Sequence, residues 1–131
     1  MRWLAIDPGT KRIGLAVGSA SPVKSVPAEP RTAALADIKA AVEAYGVGAI
    51  VVGLPLNMDD SEGAQAKIAR AFGQRIADAT GKPVHYCDER LSTVEALALL
   101  VPAGLTRKKK KARVDRVAAQ VMLQAFLDGV E

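Results

Sequence analysis

Four carboxylates stand where a fold could gather them for chemistry: Asp7, the adjacent Asp88 and Glu89, and Asp115. Asp7 closes the apolar run Leu4-Ala5-Ile6 and precedes Pro8-Gly9; Asp88 and Glu89 close the run 84–87; Asp115 lies near the start of the last amphipathic stretch. A carboxylate at a strand end costs β propensity, and a buried one costs several kcal/mol unless a positive partner sits beside it. Alone, Asp7 before Pro-Gly is ordinary turn chemistry. Brought together, the acids would repel and raise one another's pKa, and a divalent cation is their natural neutraliser. Hard oxygen ligands favour Mg²⁺ or Mn²⁺, and two such ions roughly 3.5 to 4 Å apart activate water and stabilise the leaving oxygen in phosphodiester hydrolysis.

A second feature complements the first. Arg107, Lys108, Lys109, Lys110, Lys111 and Arg113 bring six positive charges into one stretch, and since the whole chain carries +4 the remainder carries −2. The basic pI of about 9.4 therefore reflects one local patch, the electrostatic pattern of a surface that binds a polyanion. In a protein without the acids, the same run would read as a solvated loop. Aromatic residues are only 4% of the chain, which disfavours base-stacking platforms and leaves electrostatics as the main contact with nucleic acid.

Composition narrows the class. The 131 residues are expected to form a single domain over 1–131, large enough for one core but not for two lobes. Half the residues are hydrophobic and 24% charged, the profile of a soluble globular protein. No apolar run has the length to span a bilayer and no signal-peptide pattern opens the chain, so no membrane partner and a cytosolic location are expected. The single Cys87 excludes a disulfide framework and a cysteine-rich zinc site, and reads as a small buried hydrophobe. His85, the only histidine, would be the one possible base of a Ser-His-Asp triad.

The elements that must position the acids follow from the hydrophobic pattern. Residues 2–7 and 13–18 read as a hairpin around Pro8-Gly9, with 23–26 as a third, edge strand between Pro22 and Pro27. Thr32 is expected to cap a helix to about Tyr45, with Leu35, Ile38 and Val42 on one stripe and Gly46 as its stop. The continuous apolar run 49–55 is the signature of a strand buried on both faces. After it, Ser61 or a neighbour should cap a helix carrying Ile68, Ala69, Phe72 and Ile76, closed by Gly81. The strand 84–87 follows; then Ser92 with Glu95 forms a capping box opening a helix that Pro102 and Gly104 end. A final amphipathic helix carries Val117, Ala118, Val121, Met122, Ala125 and Phe126.

This order implies an α/β fold with a mixed five-stranded sheet and helices on both faces. Strands one to three are antiparallel, and strands four and five, each reached through a helical crossover, lie parallel to strand one. With strand one beside the Ile50 strand, the C-terminal ends of strands one, four and five share the edge at which open α/β sheets bind ligands.

Four blocks then carry a resemblance to a known family: 5–16 (AIDPGTKRIGLA), 50–58 (IVVGLPLNM), 88–96 (DERLSTVEA) and 111–120 (KARVDRVAAQ). They span nearly the whole chain, and together they resemble the YqgF family, also called RuvX. The resemblance implies a ribonuclease H-like fold related to Holliday-junction resolvases and a metal-dependent nuclease in maturation of the 5′ end of precursor 16S ribosomal RNA. It assigns catalytic roles to Asp7, Glu89 and Asp115, the last in a Lys-x-x-Val-Asp context, with Asp88 beside Glu89 as a further candidate metal ligand. Which of Asp88 and Glu89 is the inner ligand stays open, because neighbours in an extended chain point opposite ways.

Around the acids, Thr10, Lys11 and Arg12 would line the cleft and meet phosphates, as would Lys108 to Lys111 and Arg113. Asn57 is a candidate for sugar or base contact, or an ordinary loop residue. Arg90 would contact substrate or pair with its acidic neighbours. Nothing in the sequence shows how a 2′-hydroxyl would be read, so structured RNA and branched DNA both stand as substrates, with the ribosome as a candidate partner. Two rivals differ in kind. Asp7-Pro8-Gly9-Thr10 also resembles the phosphate loop of actin-like ATPases and sugar kinases, which need two lobes to enclose a nucleotide. A non-catalytic RNA-binding assembly factor would keep the fold without cleavage, against which the retained acids argue.

Overall fold

The computed structural model describes residues 2–9, 11–18, 21–57, 59, 61–88 and 119–127. Strands β1 (Trp3–Pro8), β2 (Arg12–Val17) and β3 (Ser21–Pro27) are followed by helix α1 (Arg31–Tyr45), strand β4 (Ala49–Leu54), helix α2 (Ala64–Thr80) and strand β5 (Val84–Asp88). Residues 119–127, here α3, are helical as well. The five strands form one sheet in the order β3-β2-β1-β4-β5. β1, β2 and β3 pair antiparallel, while β1–β4 and β4–β5 are parallel, as the crossovers require. The weakest-patterned strand, β3, forms one edge, where its prolines disturb no second partner.

Strand alternation divides the core in two. Leu4, Ile6, Ile13, Leu15, Ile50 and Val52 face α1 and α2, meeting Ile38, Val42, Phe72 and Ile76. Ala5, Ala16 and Val51 face the other way and pack on Ala119, Met122 and Leu123 of α3, with Trp3, Cys87 and Phe126 around them. Bulky aliphatics on one face and mainly small ones on the other let α3 pack closely on the second face. All six residues of β4 are buried, in keeping with its unbroken apolar run.

Several local expectations are corrected. α1 starts from Pro30 with no side-chain cap, and Thr32 is an exposed residue of its first turn. α2 starts from Gly63, also without a side-chain cap; Ser61 is drawn into the preceding loop instead. Ile68 lies on the exposed side of α2, and Ala66 takes the inward position. On α3 the expected Val121 and Met122 are buried and Phe126 packs on the core, joined there by Ala119, Leu123 and Leu127, while Val117 and Ala118 lie outside the described residues. Gly46 and Gly81 end α1 and α2 with positive φ as expected, each donating its N–H to the last turn. The expected helix after Ser92 lies outside the described residues.

Candidate active site at the C-terminal sheet edge

Asp7 is the penultimate residue of β1, half-buried, and paired across the hairpin with Gly14, which has no side chain to crowd it. Its parity is that of Trp3 and Ala5, so it belongs to the α3 face of the sheet. Beyond it, the β1–β2 turn is closed by the Gly9 N–H donating to the Arg12 carbonyl at 3.0 Å. A Cβ at Gly9 would run into that same carbonyl oxygen, so the turn requires glycine. Lys11 is exposed and Arg12 half-buried at the start of β2, and Ala28 donates to the Lys11 carbonyl at 2.9 Å, pinning the far side of the turn. The expected cleft residues Lys11 and Arg12 thus stand on a braced turn next to Asp7, while Thr10 lies outside the described residues.

The β4 and β5 ends complete the edge. The register aligns Ile6 with Val52, Val52 with Tyr86, and Leu54 with Asp88. Asp88 therefore has the parity of Val84 and Tyr86, which pack on the α1/α2 face. Asp7 and Asp88 end parallel strands at nearly the same height, with their side chains on opposite faces. Among the described residues no three His, Cys, Asp or Glu side chains gather as a metal site. Asp7 supplies one hard oxygen donor on the α3 face; Glu89, Asp115, Arg90, Lys108, Lys109, Lys110, Lys111 and Arg113 lie outside the described residues.

The loop after β4 is organised by its own polar groups. Asn57 donates its backbone N–H to the Ser61 carbonyl and its side-chain amide to the Ser61 hydroxyl, both at 2.9 Å. The Ser61 N–H and hydroxyl both donate to one Asp59 carboxylate oxygen, and the hydroxyl first, then the amide, hold that carboxyl below its ordinary pKa. Asn57 is exposed, but one of its amide protons is committed to the loop.

Sequence reasoning did not find the next anchor. Arg70 on α2 donates Nε and Nη2 to the two Glu62 oxygens at 2.6 and 2.8 Å, and its guanidinium lies 4.8 Å from the centre of the Tyr86 ring. Tyr86 returns its hydroxyl to the Arg70 carbonyl at 3.2 Å. The hydrogen bond from Arg70 lowers the Glu62 pKa and the same bond raises that of Arg70. The β4 exit loop, α2 and β5 are thereby tied one residue-pair away from Asp88. Glu62 and Arg70 are eight apart across a helix start, a spacing with no helical signature, so no pattern flagged them. Cys87 packs against the α3-face core as a small hydrophobe, and His85 on that face stacks edge-on with Trp3 at 5.1 Å.

Comparison with known proteins gives the same picture. A family model described as "RuvX: Holliday junction resolvase" matches residues 1–129. A protein of Anaeromyxobacter sp. (strain Fw109-5) named "Putative pre-16S rRNA nuclease" is 49% identical, the match covering 98% of both chains. One of the same name from Moorella thermoacetica is 41% identical over 98% of this chain and 95% of its own. Among solved structures, Thermus thermophilus RuvC in complex with a Holliday junction substrate superposes with a TM-score of 0.59 at 17% identity, covering 99% of this chain and 96% of that one. At that identity the likeness shows the fold, which is the RuvC-like, ribonuclease H-like one.

Proposed function

Because the chain belongs to the RuvX family of Holliday junction resolvase-like proteins, we propose that it is a metal-dependent nuclease that hydrolyses phosphodiester bonds in the 5′ region of pre-16S ribosomal RNA. The observation that carries the reading is Asp7, a half-buried carboxylate fixed at the C-terminal end of the central strand β1, next to a braced turn bearing Lys11 and Arg12. A carboxylate in that place is the donor type that Mg²⁺ or Mn²⁺ takes, and the further ligands we assign are Glu89 and Asp115. Asp88 has the parity of the α1/α2 face, opposite that of Asp7, and this favours Glu89 over Asp88 as the ligand we assign.

When bound, one or two such ions would supply an activated water and charge stabilisation at the leaving oxygen. The chain's own residues do the rest. Asp7, Glu89 and Asp115 hold negative charge at a fixed point; Thr10, Lys11, Arg12 and Arg90 orient the phosphate against it; Lys108, Lys109, Lys110, Lys111 and Arg113 draw in the polyanion. Asn57, held within the β4 exit loop, is the residue we assign to sugar or base contact. A cytosolic location and an association with the ribosome accord with this substrate.

The deciding experiment is cleavage by the purified protein of matched precursor rRNA, linear duplex and four-way junction substrates, with Mg²⁺ and then Mn²⁺. Preferential cutting of the precursor, lost in Asp7→Asn, is the expected result. Since the family model carries a resolvase description, the junction is the second substrate, and faster cutting of the junction would transfer the activity to branched DNA. No cleavage of any substrate would leave a binding protein.

A further inference from the structure

Gly53 is the residue of β4 that the strand itself does not explain. It stands in a strand buried throughout, between β1 and β5, and every other residue of that strand is an apolar one with a side chain. Glycine weakens a strand interior, and where it occurs there it marks a bulge, a bend, or a place where a ligand or another backbone comes close. The first two do not apply. The parallel ladders on either side of β4 each keep one register, and Gly53 is not among the glycines of positive φ. Close approach is left. Gly14 differs in this respect, because the β2–β3 ladder shifts register just beyond it, between Leu15 and Ala16.

The register gives that approach an object. One step beyond the last β1–β4 pair, Ile6 with Val52, Gly53 stands beside Asp7, and the β4–β5 register sets it opposite Cys87. By parity with Ala5 and Val51, Asp7 and Gly53 both belong to the α3 face. Neighbouring strands lie about 4.8 Å apart, so any side chain at position 53 would stand against the Asp7 carboxylate. With glycine there, the sheet itself places no side chain on the β5 flank of Asp7 until Cys87, two strands away. This suits the ion type assigned to Asp7. Mg²⁺ keeps several of its waters in a near-ideal octahedral shell, and a carboxylate hemmed in by its neighbour holds such a shell poorly.

We propose that Gly53 is the floor of the metal site, a positioning residue that leaves room over β4 for an ion shared by Asp7 and the ligand assigned after β5, Glu89, and that this room favours Mg²⁺ over Mn²⁺. The assignment rests on the metal-dependent nuclease reading. β4 separates the two strands from whose ends these acids come, so an ion held by both is held across β4. Gly53 is the point level with Asp7 where β4 has no side chain on that face to obstruct it. A methyl group there would displace water from the ion's shell, which Mg²⁺ resists more than Mn²⁺ does. Gly53 takes no part in bond breaking. The plain alternative is that it only lets another segment pack on the sheet.

The test measures the rise in melting temperature of the full chain over a series of Mg²⁺ and of Mn²⁺ concentrations, for wild type, Gly53→Ala, Gly14→Ala and Asp7→Asn. In Gly53→Ala the affinity read from that rise should fall on the order of tenfold for Mg²⁺ and by less for Mn²⁺, so the ratio of the two shifts toward Mn²⁺. Gly14→Ala, on the flank away from β5, should change the ion-free melting temperature and leave the ratio as it is. A Gly53→Ala that melts lower without ions but keeps both affinities overturns the proposal and leaves a packing role. Equal shifts of the ratio in the two glycine variants overturn it as well. Should Gly53→Ala not fold, broadening of the wild-type backbone amide signals by substoichiometric Mn²⁺ decides in its place. Strongest loss at Gly53 and Cys87 supports an ion over β4; strongest loss at Gly14 and Leu15 overturns it. A wild type that neither ion stabilises, or an Asp7→Asn stabilised as strongly as wild type, removes the metal reading itself and this assignment with it.

Discussion

Asp7 and Asp88 end parallel strands at neighbouring heights of one sheet, and their side chains lie on opposite faces of it, Asp7 with Trp3 and Ala5 toward α3, Asp88 with Val84 and Tyr86 toward α1 and α2. One residue of strand parity thus separates two acids that the sequence alone offers as equals. A metal bound on the α3 face has direct access to one of them.

The two should therefore respond differently to loss of charge. Asp7→Asn is expected to lower cleavage by on the order of 10³-fold or more, while stability holds or rises as a half-buried charge is removed. Asp88→Asn should keep most of the activity. Single-turnover cleavage rates with thermal melts of both variants check this, and comparable losses in the two would place the reacting phosphate on both faces, contrary to the parity.

Asp7, Glu89 and Asp115 are expected to act as one unit. Each single substitution to the amide should remove most activity, and combining two should cost little more, because the groups serve the same ion or pair of ions. Mg²⁺ should raise the melting temperature of wild type by mass action, and each substitution should blunt that rise. Multiplicative losses with unchanged Mg²⁺ stabilisation would separate the three acids.

Lys108 to Lys111 are expected to contribute to binding and not to turnover. Replacing all four with Ala should weaken affinity for RNA and flatten its salt dependence by roughly 0.7 to 0.9 for each phosphate no longer engaged, leaving the rate at saturating substrate nearly unchanged. Binding isotherms over a salt series, together with saturating turnover, make the measurement.

The Glu62–Arg70 pair should give the protein an acid-dependent component of stability. The bond from Arg70 lowers the Glu62 pKa on folding, so the stabilisation is complete above the ordinary glutamate value near 4.5 and is lost as pH falls through the lower folded value. Melting temperatures of wild type and Glu62→Gln should accordingly differ at neutral pH and converge in acid. Since the pair is solvent-facing, added salt should narrow the neutral-pH difference.

The scaffold was legible in the sequence because its signals are strong and local. The unbroken run of β4, the Pro-Gly turn after Asp7, and Gly46 and Gly81 each specify one local geometry, and the crossovers then leave the strand order little choice. The site was legible in part, because the types and strand-end positions of Asp7 and Asp88 are sequence facts, whereas the face each occupies depends on how far its strand runs. β5 includes Asp88, and that one residue settles its parity. What escaped was long-range and non-periodic: Arg70 reaching back to Glu62, and Arg31 lying against Phe72. For Arg31 a signal did exist, a cation in the first turn of a helix, where the dipole disfavours it.

Gly73 provides the sharpest packing test, since two known effects oppose each other there. It lies in the interior of α2, where Ala is favoured over Gly by roughly 0.8 to 1.0 kcal/mol. A Cβ at this position would stand 2.9 Å from the edge of the Tyr86 ring and closer still to its hydroxyl. Overpacking of that kind costs about 1 to 3 kcal/mol and would displace Tyr86, which belongs to β5 two residues before Asp88. The clash should win, so Gly73→Ala is expected to destabilise by about 1 kcal/mol despite its better helix propensity. Adding Tyr86→Phe removes the nearest atom but leaves the ring edge, so the double variant should recover only part of the loss, after allowing for the hydrogen bond to the Arg70 carbonyl that Tyr86→Phe alone forfeits. Denaturant unfolding of the two single variants and the double decides it. A stabilised Gly73→Ala would mean that Tyr86 can move aside freely, and that β5 is not held in place by α2.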